Sequence, residues 1–195
     1  LTGTLQRQKP QISRFSLNVT MPGDPPHLFM SGRQMRYRPS PLSDPLIVPI
    51  GADAAEAMAT LHATGFDPAW SAQSFTELFE ARDARAFGIF TDGNLISYAL
   101  ILPSVQDMEL ATIVTAPDYR GQGLAEHLLL HIMPLLKADG FERFLLEVSE
   151  ENLSARSLYD RVGFNTDGRR PNYYKSESGG YCAAILMSFE LNEPR

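Results

Sequence analysis

The strongest constraint on the fold is the stretch Pro117-Asp118-Tyr119-Arg120-Gly121-Gln122-Gly123-Leu124-Ala125, set between a β-branched apolar run, Ala111 to Thr115, and a helical segment, Glu126 to Ala138. Two glycines at a strand-to-helix junction let the backbone turn with its N–H groups pointing one way. The helix that starts there adds its positive dipole end. The result is a phosphate cradle suited to a pyrophosphate, and a chain built around it must alternate strands with helices.

The flanking pattern agrees. A short strand bounded by prolines, Pro45 to Ile50, precedes an alanine-rich helix over Ala52 to Thr64 that Asp53 is placed to cap and Gly65 to end. Phe66-Asp67-Pro68-Ala69-Trp70-Ser71 reads as a loop, and Phe75, Leu78 and Phe79 recur at helical spacing after it. The period then changes to strands: Ala86 to Phe90, a turn at Thr91-Asp92-Gly93-Asn94, Leu95 to Leu102, and Glu109 to Thr115. The helix after the glycine loop places Leu124, Leu128, Ile132, Leu135 and Leu136 on one face, with a kink expected at Pro134 and a stop at Gly140. A strand over Arg143 to Val148, a helix over Asn152 to Val162, and strands near Phe164 and over Ala183 to Leu191 follow. An antiparallel start followed by alternating strands and helices predicts an α/β sandwich.

A dinucleotide site competes for any glycine loop. It needs a third small residue where the helix packs on the strand, and Glu126 occupies that place. The pattern R/Q-x-x-G-x-G/A, met by Arg120, Gly123 and Ala125, instead resembles the GNAT superfamily of acetyl-coenzyme A-dependent N-acetyltransferases. The strand Leu145-Leu146-Glu147-Val148, the segment Asn152 to Tyr159 and Gly163-Phe164 extend that resemblance over roughly residues 45 to 191, toward the RimI-type branch that acetylates the N-terminal alanine of a ribosomal protein.

The resemblance implies a GNAT fold: a mixed, mostly antiparallel central sheet flanked by helices, with two central strands splayed to admit the coenzyme's pantetheine arm. Residues 45–195 would form this single domain. It further implies that the backbone of Gly121, Gln122, Gly123, Leu124, Ala125 and Glu126, next to Arg120, holds the pyrophosphate of acetyl-CoA, the co-substrate. Ile113, Val114 and Thr115 would pair with pantetheine amides, and Asn152, a helix cap in its own right, would contact the coenzyme. Glu126 departs from the basic residue common in close relatives, and its charge opposes phosphate binding.

Acetyl transfer needs a base for the amine, whose pKa near 8 leaves it mostly protonated at neutral pH, and a proton for the departing thiolate. By resemblance Glu147 is the base, on a strand whose apolar neighbours make its carboxylate partly buried, and Tyr159 is the acid. The residues alone also fit an edge glutamate and a tyrosine packed beside Phe164. Arg169-Arg170-Pro171-Asn172-Tyr173-Tyr174 resembles the R-R-x-Y-Y loop of protein N-terminal acetyltransferases with Pro171 inserted. In that reading Tyr173 and Tyr174 clamp the acceptor's first peptide units, and the Phe66 to Ser71 loop, through Phe66 and Pro68, forms the opposite wall. A lysine or small-molecule amine as acceptor, and a coenzyme-binding module without turnover, remain the alternatives.

Charge is unevenly divided. The first 38 residues hold six basic groups against Asp24 alone, a net +5, which leaves −11 on the rest. An acidic body disfavours nucleic acid and suits a cationic peptide N-terminus or amine. No apolar run approaches a membrane span, and a single cysteine, Cys182, excludes an internal disulfide and reads as a small apolar strand residue. These features favour a reducing, cytoplasmic setting. No metal is expected: His127 and His131 are four apart, but Leu128 stands where a zinc-protease helix has glutamate. Residues 1–44, with Leu1 first and Met21, Met30 and Met35 as later candidate starts, are expected to be a disordered or non-native extension.

Overall fold

The computed structural model describes residues 45–176 and 179–192. The expected extension over 1–44 lies outside them. Seven strands form one sheet: β1 (Ile47–Ile50), β2 (Arg85–Thr91), β3 (Asn94–Ser104), β4 (Asp107–Thr115), β5 (Arg143–Ser149), β6 (Asn165–Lys175) and β7 (Tyr181–Glu190). Four helices flank it: α1 (Ala55–His62), α2 (Ala72–Arg82), α3 (Leu124–Ala138) and α4 (Leu153–Val162).

The strand order is β1-β2-β3-β4-β5-β7-β6. Every pairing is antiparallel except β4 with β5. The β2–β3 hairpin turns through Asp92 and Gly93, both at positive φ, as the Asp-Gly signal requires. The parallel β4–β5 pair is joined by the glycine loop and α3, the crossover a parallel pair needs.

α3 packs on β2, β3 and β4 through Leu128, Leu129, Ile132 and Leu136, all fully buried. Each such side chain contributes about 1.5–3 kcal/mol of burial. Leu135, expected on that face, is 40% exposed. The buried arc is centred on Leu129, Ile132 and Leu136 and leaves Leu135 on its edge. The helix is continuous through Pro134. At the start of α1 the expected Asp53 cap is replaced by a short 3-10 turn, Ala52–Ala54, with no side-chain cap, whereas Ser71 caps α2 by accepting from the Ser74 amide. The core is continuous across the sheet, from Phe75 and Tyr98 to Phe144 and Tyr159.

Candidate active site

β4 and β5 are in register only at Met108↔Phe144 and Glu109↔Leu145. Beyond that point β4 runs on to Thr115 against β3, and β5 to Ser149 against β7, with no pairing between them. The sheet therefore splits down its middle. A bulge starts the split: Leu100 faces Thr112 and Ile101 faces Leu110, so Ala111 is an extra residue that bends β4 away.

The glycine loop closes one end of the gap. Gly121 and Gly123 have φ of 73° and 80°, conformations that cost other residues about 1–2 kcal/mol. Gly123 is the residue before α3 and provides no side-chain cap, so the first-turn amides of the helix are left for an anion. Arg120 is turned back as a staple. Its Nε donates to the Thr115 carbonyl at 3.0 Å and its Nη2 to the Thr64 carbonyl at 3.2 Å, and burial lowers its pKa from the usual range. Ile113 and Val114 are buried, and the Ser97 hydroxyl donates to the Val114 carbonyl at 2.9 Å. Glu126 is paired with Arg161 of α4 at 3.3 Å, so the charge that opposes phosphate binding is neutralised across two helices.

α4 begins where β5 ends. Asn152 caps it, Oδ1 accepting from the Ala155 amide at 3.0 Å, while its Nδ2 is buried without a partner. The Ser154 and Tyr159 hydroxyls and Gln122 Oε1 are likewise buried and unpartnered. Buried polar atoms are ordinarily satisfied, so each of these is left with hydrogen-bonding capacity that its protein neighbours do not use. Tyr159 packs its ring on Phe164, and burial pushes its phenol well above the usual range.

On β5 the alternation puts Phe144, Leu146 and Val148 inward and Glu147 on the other face, half-buried. Its carboxylate meets Arg170 Nη1 at 3.0 and 3.2 Å. The Arg170 guanidinium in turn lies 4.8 Å from the centre of the Tyr173 ring. The phenols of Tyr173 and Tyr174 are both raised, by burial first and by the Glu147 charge second. Tyr174 is buried against Cys182 and Ala184. Glu147, Arg170, Tyr173 and Tyr174 thus form one neighbourhood, while Tyr159 stands on α4 with its ring on Phe164.

The inserted proline explains how. Arg170 pairs with Ala184 and Tyr174 with Cys182, so Pro171, Asn172 and Tyr173 together face Ala183 alone. Asn172 takes a positive φ of 54° to make this bulge. The Ala183 amide then donates to Glu150 Oε1 at 2.7 Å, and the same carboxylate accepts Arg169 through Nε and Nη2 at 2.7–3.0 Å. These donors hold the Glu150 carboxyl below its usual range. Glu150 was missed from sequence: it follows β5 directly, and the arginine pair that meets it is on β6, on the far side of β7.

The Phe66 to Ser71 wall is built differently from the expectation. Phe66 is buried, with one ring face stacked on His62 at 4.0 Å between ring centres; Pro68 is exposed. His62, a second residue missed, stacks also on Trp70 and accepts from the Trp70 amide through Nδ1 at 3.2 Å. Burial lowers its pKa to about 4, so it is neutral at pH 7. Among the described residues no cluster of His, Cys, Asp and Glu has metal-binding proximity, and no helix is long and apolar enough to cross a membrane.

A mixed sheet that splits between β4 and β5, with an uncapped helix start at the split, is the architecture that the sequence resemblance implies, and the comparisons agree. The profile of the Acetyltransferase (GNAT) family matches residues 55–164, and the chain belongs to that family of acetyl-CoA-dependent N-acetyltransferases. A Bacillus subtilis (strain 168) protein named for ribosomal protein bS18-alanine N-acetylation is 34% identical over 134 residues, 68% of this chain and 87% of that protein. The ribosomal protein bS18-alanine N-acetyltransferase of Haemophilus influenzae (strain ATCC 51907 / DSM 11121 / KW20 / Rd) is 35% identical over 103 residues, 53% of this chain and 70% of its own. The crystal structure of the Escherichia coli ribosomal-protein-S18-alanine N-acetyltransferase superposes with a TM-score of 0.70 at 27% identity, covering 77% of this chain and 96% of that one.

Proposed function

We propose that residues 45–195 form one enzyme domain that transfers acetyl from acetyl-CoA to the N-terminal α-amine of a protein, with the N-terminal alanine of a ribosomal protein as acceptor and the cytoplasm as setting. The observation that carries it is the Glu147–Arg170 pair on the Tyr173–Tyr174 bulge, in a sheet that splits between β4 and β5.

Acetyl-CoA, when bound, supplies the activated acetyl group. The amides of Gly121 to Glu126 receive the pyrophosphate with the α3 dipole behind them. Pairing of Glu126 with Arg161 removes the objection its charge raised. Asn152 Nδ2, buried and unpartnered, donates to the coenzyme.

Glu147 accepts the proton that the ammonium must lose before its nitrogen attacks, a role that contributes about 10²–10⁴ in rate. Tyr159 holds its proton throughout the neutral range because burial disfavours the phenolate. Its hydroxyl donates to the sulfur as the C–S bond breaks. Full transfer is uphill, so the donation stabilises charge developing on sulfur before it completes. Tyr173 lines the acceptor side with Tyr174 buried behind it against Cys182 and Ala184, and Pro68 offers an exposed surface for the other wall.

The test incubates the protein with acetyl-CoA and a short basic peptide beginning with alanine, following thiol release and peptide mass. One acetyl group on the α-amine is expected. Full turnover retained by both Glu147→Gln and Tyr159→Phe overturns the assigned roles, and faster acetylation of free polyamines than of peptides overturns the acceptor.

A further inference from the structure

Two adjacent arginines on β6 hold two carboxylates in unlike ways. Arg169 grips Glu150 with Nε and Nη2 together, a planar fork, and the Ala183 amide holds the same carboxylate from the other side. Arg170 meets Glu147 with a single nitrogen, Nη1, and is about half exposed. The first arrangement locks the bulge. The second is a one-nitrogen pair at a half-exposed site, with the Tyr173 side chain hydrogen-bonded to both partners, and the charge it neutralises is the one assigned to receive the incoming ammonium.

We infer that Arg170 is a positioning residue that occupies the acceptor's place on Glu147 in the empty site, so that acceptor entry is an exchange of one cation for another on the same carboxylate. This rests on the reading of Glu147 as proton acceptor. The guanidinium stands where an ammonium would make its first charge-assisted hydrogen bond to that carboxylate. Displacing it leaves no cation stranded, because the Tyr173 ring face, 4.8 Å from the guanidinium carbon, remains as its partner. A half-exposed ion pair and a cation on an aromatic face are of similar strength, which makes the exchange reversible on either side. Arg170 thereby keeps the empty Glu147 oriented and neutralised, and opposes cations too poorly held by Tyr173 and Tyr174 to displace it. The inserted Pro171 contributes by forming the bulge that brings the guanidinium and the ring together.

Steady-state kinetics with the alanine-first peptide test this. Arg170→Gln and Arg170→Met, the second keeping an apolar stem on the Tyr173 ring, are each expected to lower the acceptor KM about two- to fivefold, the scale of a half-exposed ion pair. The acetyl-CoA KM stays unchanged, and Arg170→Lys, which keeps a cation on Glu147, stays near the native acceptor KM. Ethylguanidinium chloride, against sodium chloride at equal ionic strength, is expected to compete with the acceptor in the Gln and Met variants and much less in the native enzyme. An acceptor KM that rises in both variants, or stays put with no ethylguanidinium competition, overturns the inference. If the native enzyme acetylates the peptide and these shifts are absent, the inference alone falls. If it acetylates no peptide, the substrate reading falls, and the same comparison on whichever cationic amine it does acetylate decides the exchange.

Discussion

The two sides of the split sheet are built from different materials. The side we assign to the coenzyme is backbone: glycines at positive φ, the open first turn of α3, and one strand bent by Ala111. The side we assign to the acceptor is side chains: Glu147 against Arg170, Arg169 forked on Glu150, His62 stacked on Phe66 and Trp70. A backbone site is specified by a few consecutive residues and tolerates change around it. A side-chain site is specified by pairs far apart in the chain, so changing one residue there alters its partners too. The first suits a constant ligand such as a coenzyme; the second lets the acceptor vary.

Glu147→Gln puts the greatest strain on this contrast. It is expected to lower kcat/KM for the acceptor about 100-fold or more while leaving the acetyl-CoA dissociation constant within about twofold. Equal losses on both sides, measured by acceptor kinetics and coenzyme titration, break the separation.

Acid stability probes the side-chain half next. His62 is held neutral with its pKa lowered to about 4, so its contribution is complete above the unfolded value near 6.5 and is lost as pH falls from there to about 4. The loss is about 2–3 kcal/mol. His62→Gln should flatten the fall in denaturation midpoint between pH 6.5 and 4; an unchanged slope places the acid sensitivity elsewhere.

On the backbone half, Gly123→Val forces a branched residue to φ of 80°, at a cost of about 1–2 kcal/mol. An acetyl-CoA KM about tenfold higher, with the acceptor KM unmoved, sharpens the comparison. Glu126→Ala is expected to do least: because Arg161 pairs the charge at a half-exposed site, coenzyme affinity should shift by no more than about twofold. A large gain in affinity, read by calorimetry, shows that the carboxylate faces the phosphates despite its pairing.

The same contrast governs what the sequence discloses. The glycine loop, the strand before it, Glu147 on its alternating strand and Asn152 as a cap are local patterns with a local physical cause, and all are found where expected. Even the split is visible only as a resemblance until the register shows pairing stop after Glu109↔Leu145. The bulge at Pro171–Tyr173 is hidden because what stabilises it, Glu150 on the Ala183 amide, spans 33 residues. Phe66 is more deeply buried than a loop residue suggests, because its ring stacks on His62 at the end of α1. Leu135 fits the helical period yet sits on the edge of the buried arc, a matter of which way α3 faces the sheet.

The account stands most directly on where the acetyl group goes and which residue lets it. Native enzyme and Glu147→Gln should each be given acetyl-CoA and an alanine-first basic peptide that also contains an internal lysine, and the product mapped by fragment mass spectrometry. The predicted result is acetyl on the α-amine alone, formed at least about 100 times more slowly by the variant. Acetyl on the lysine, or α-amine acetylation at native rate without Glu147, contradicts it.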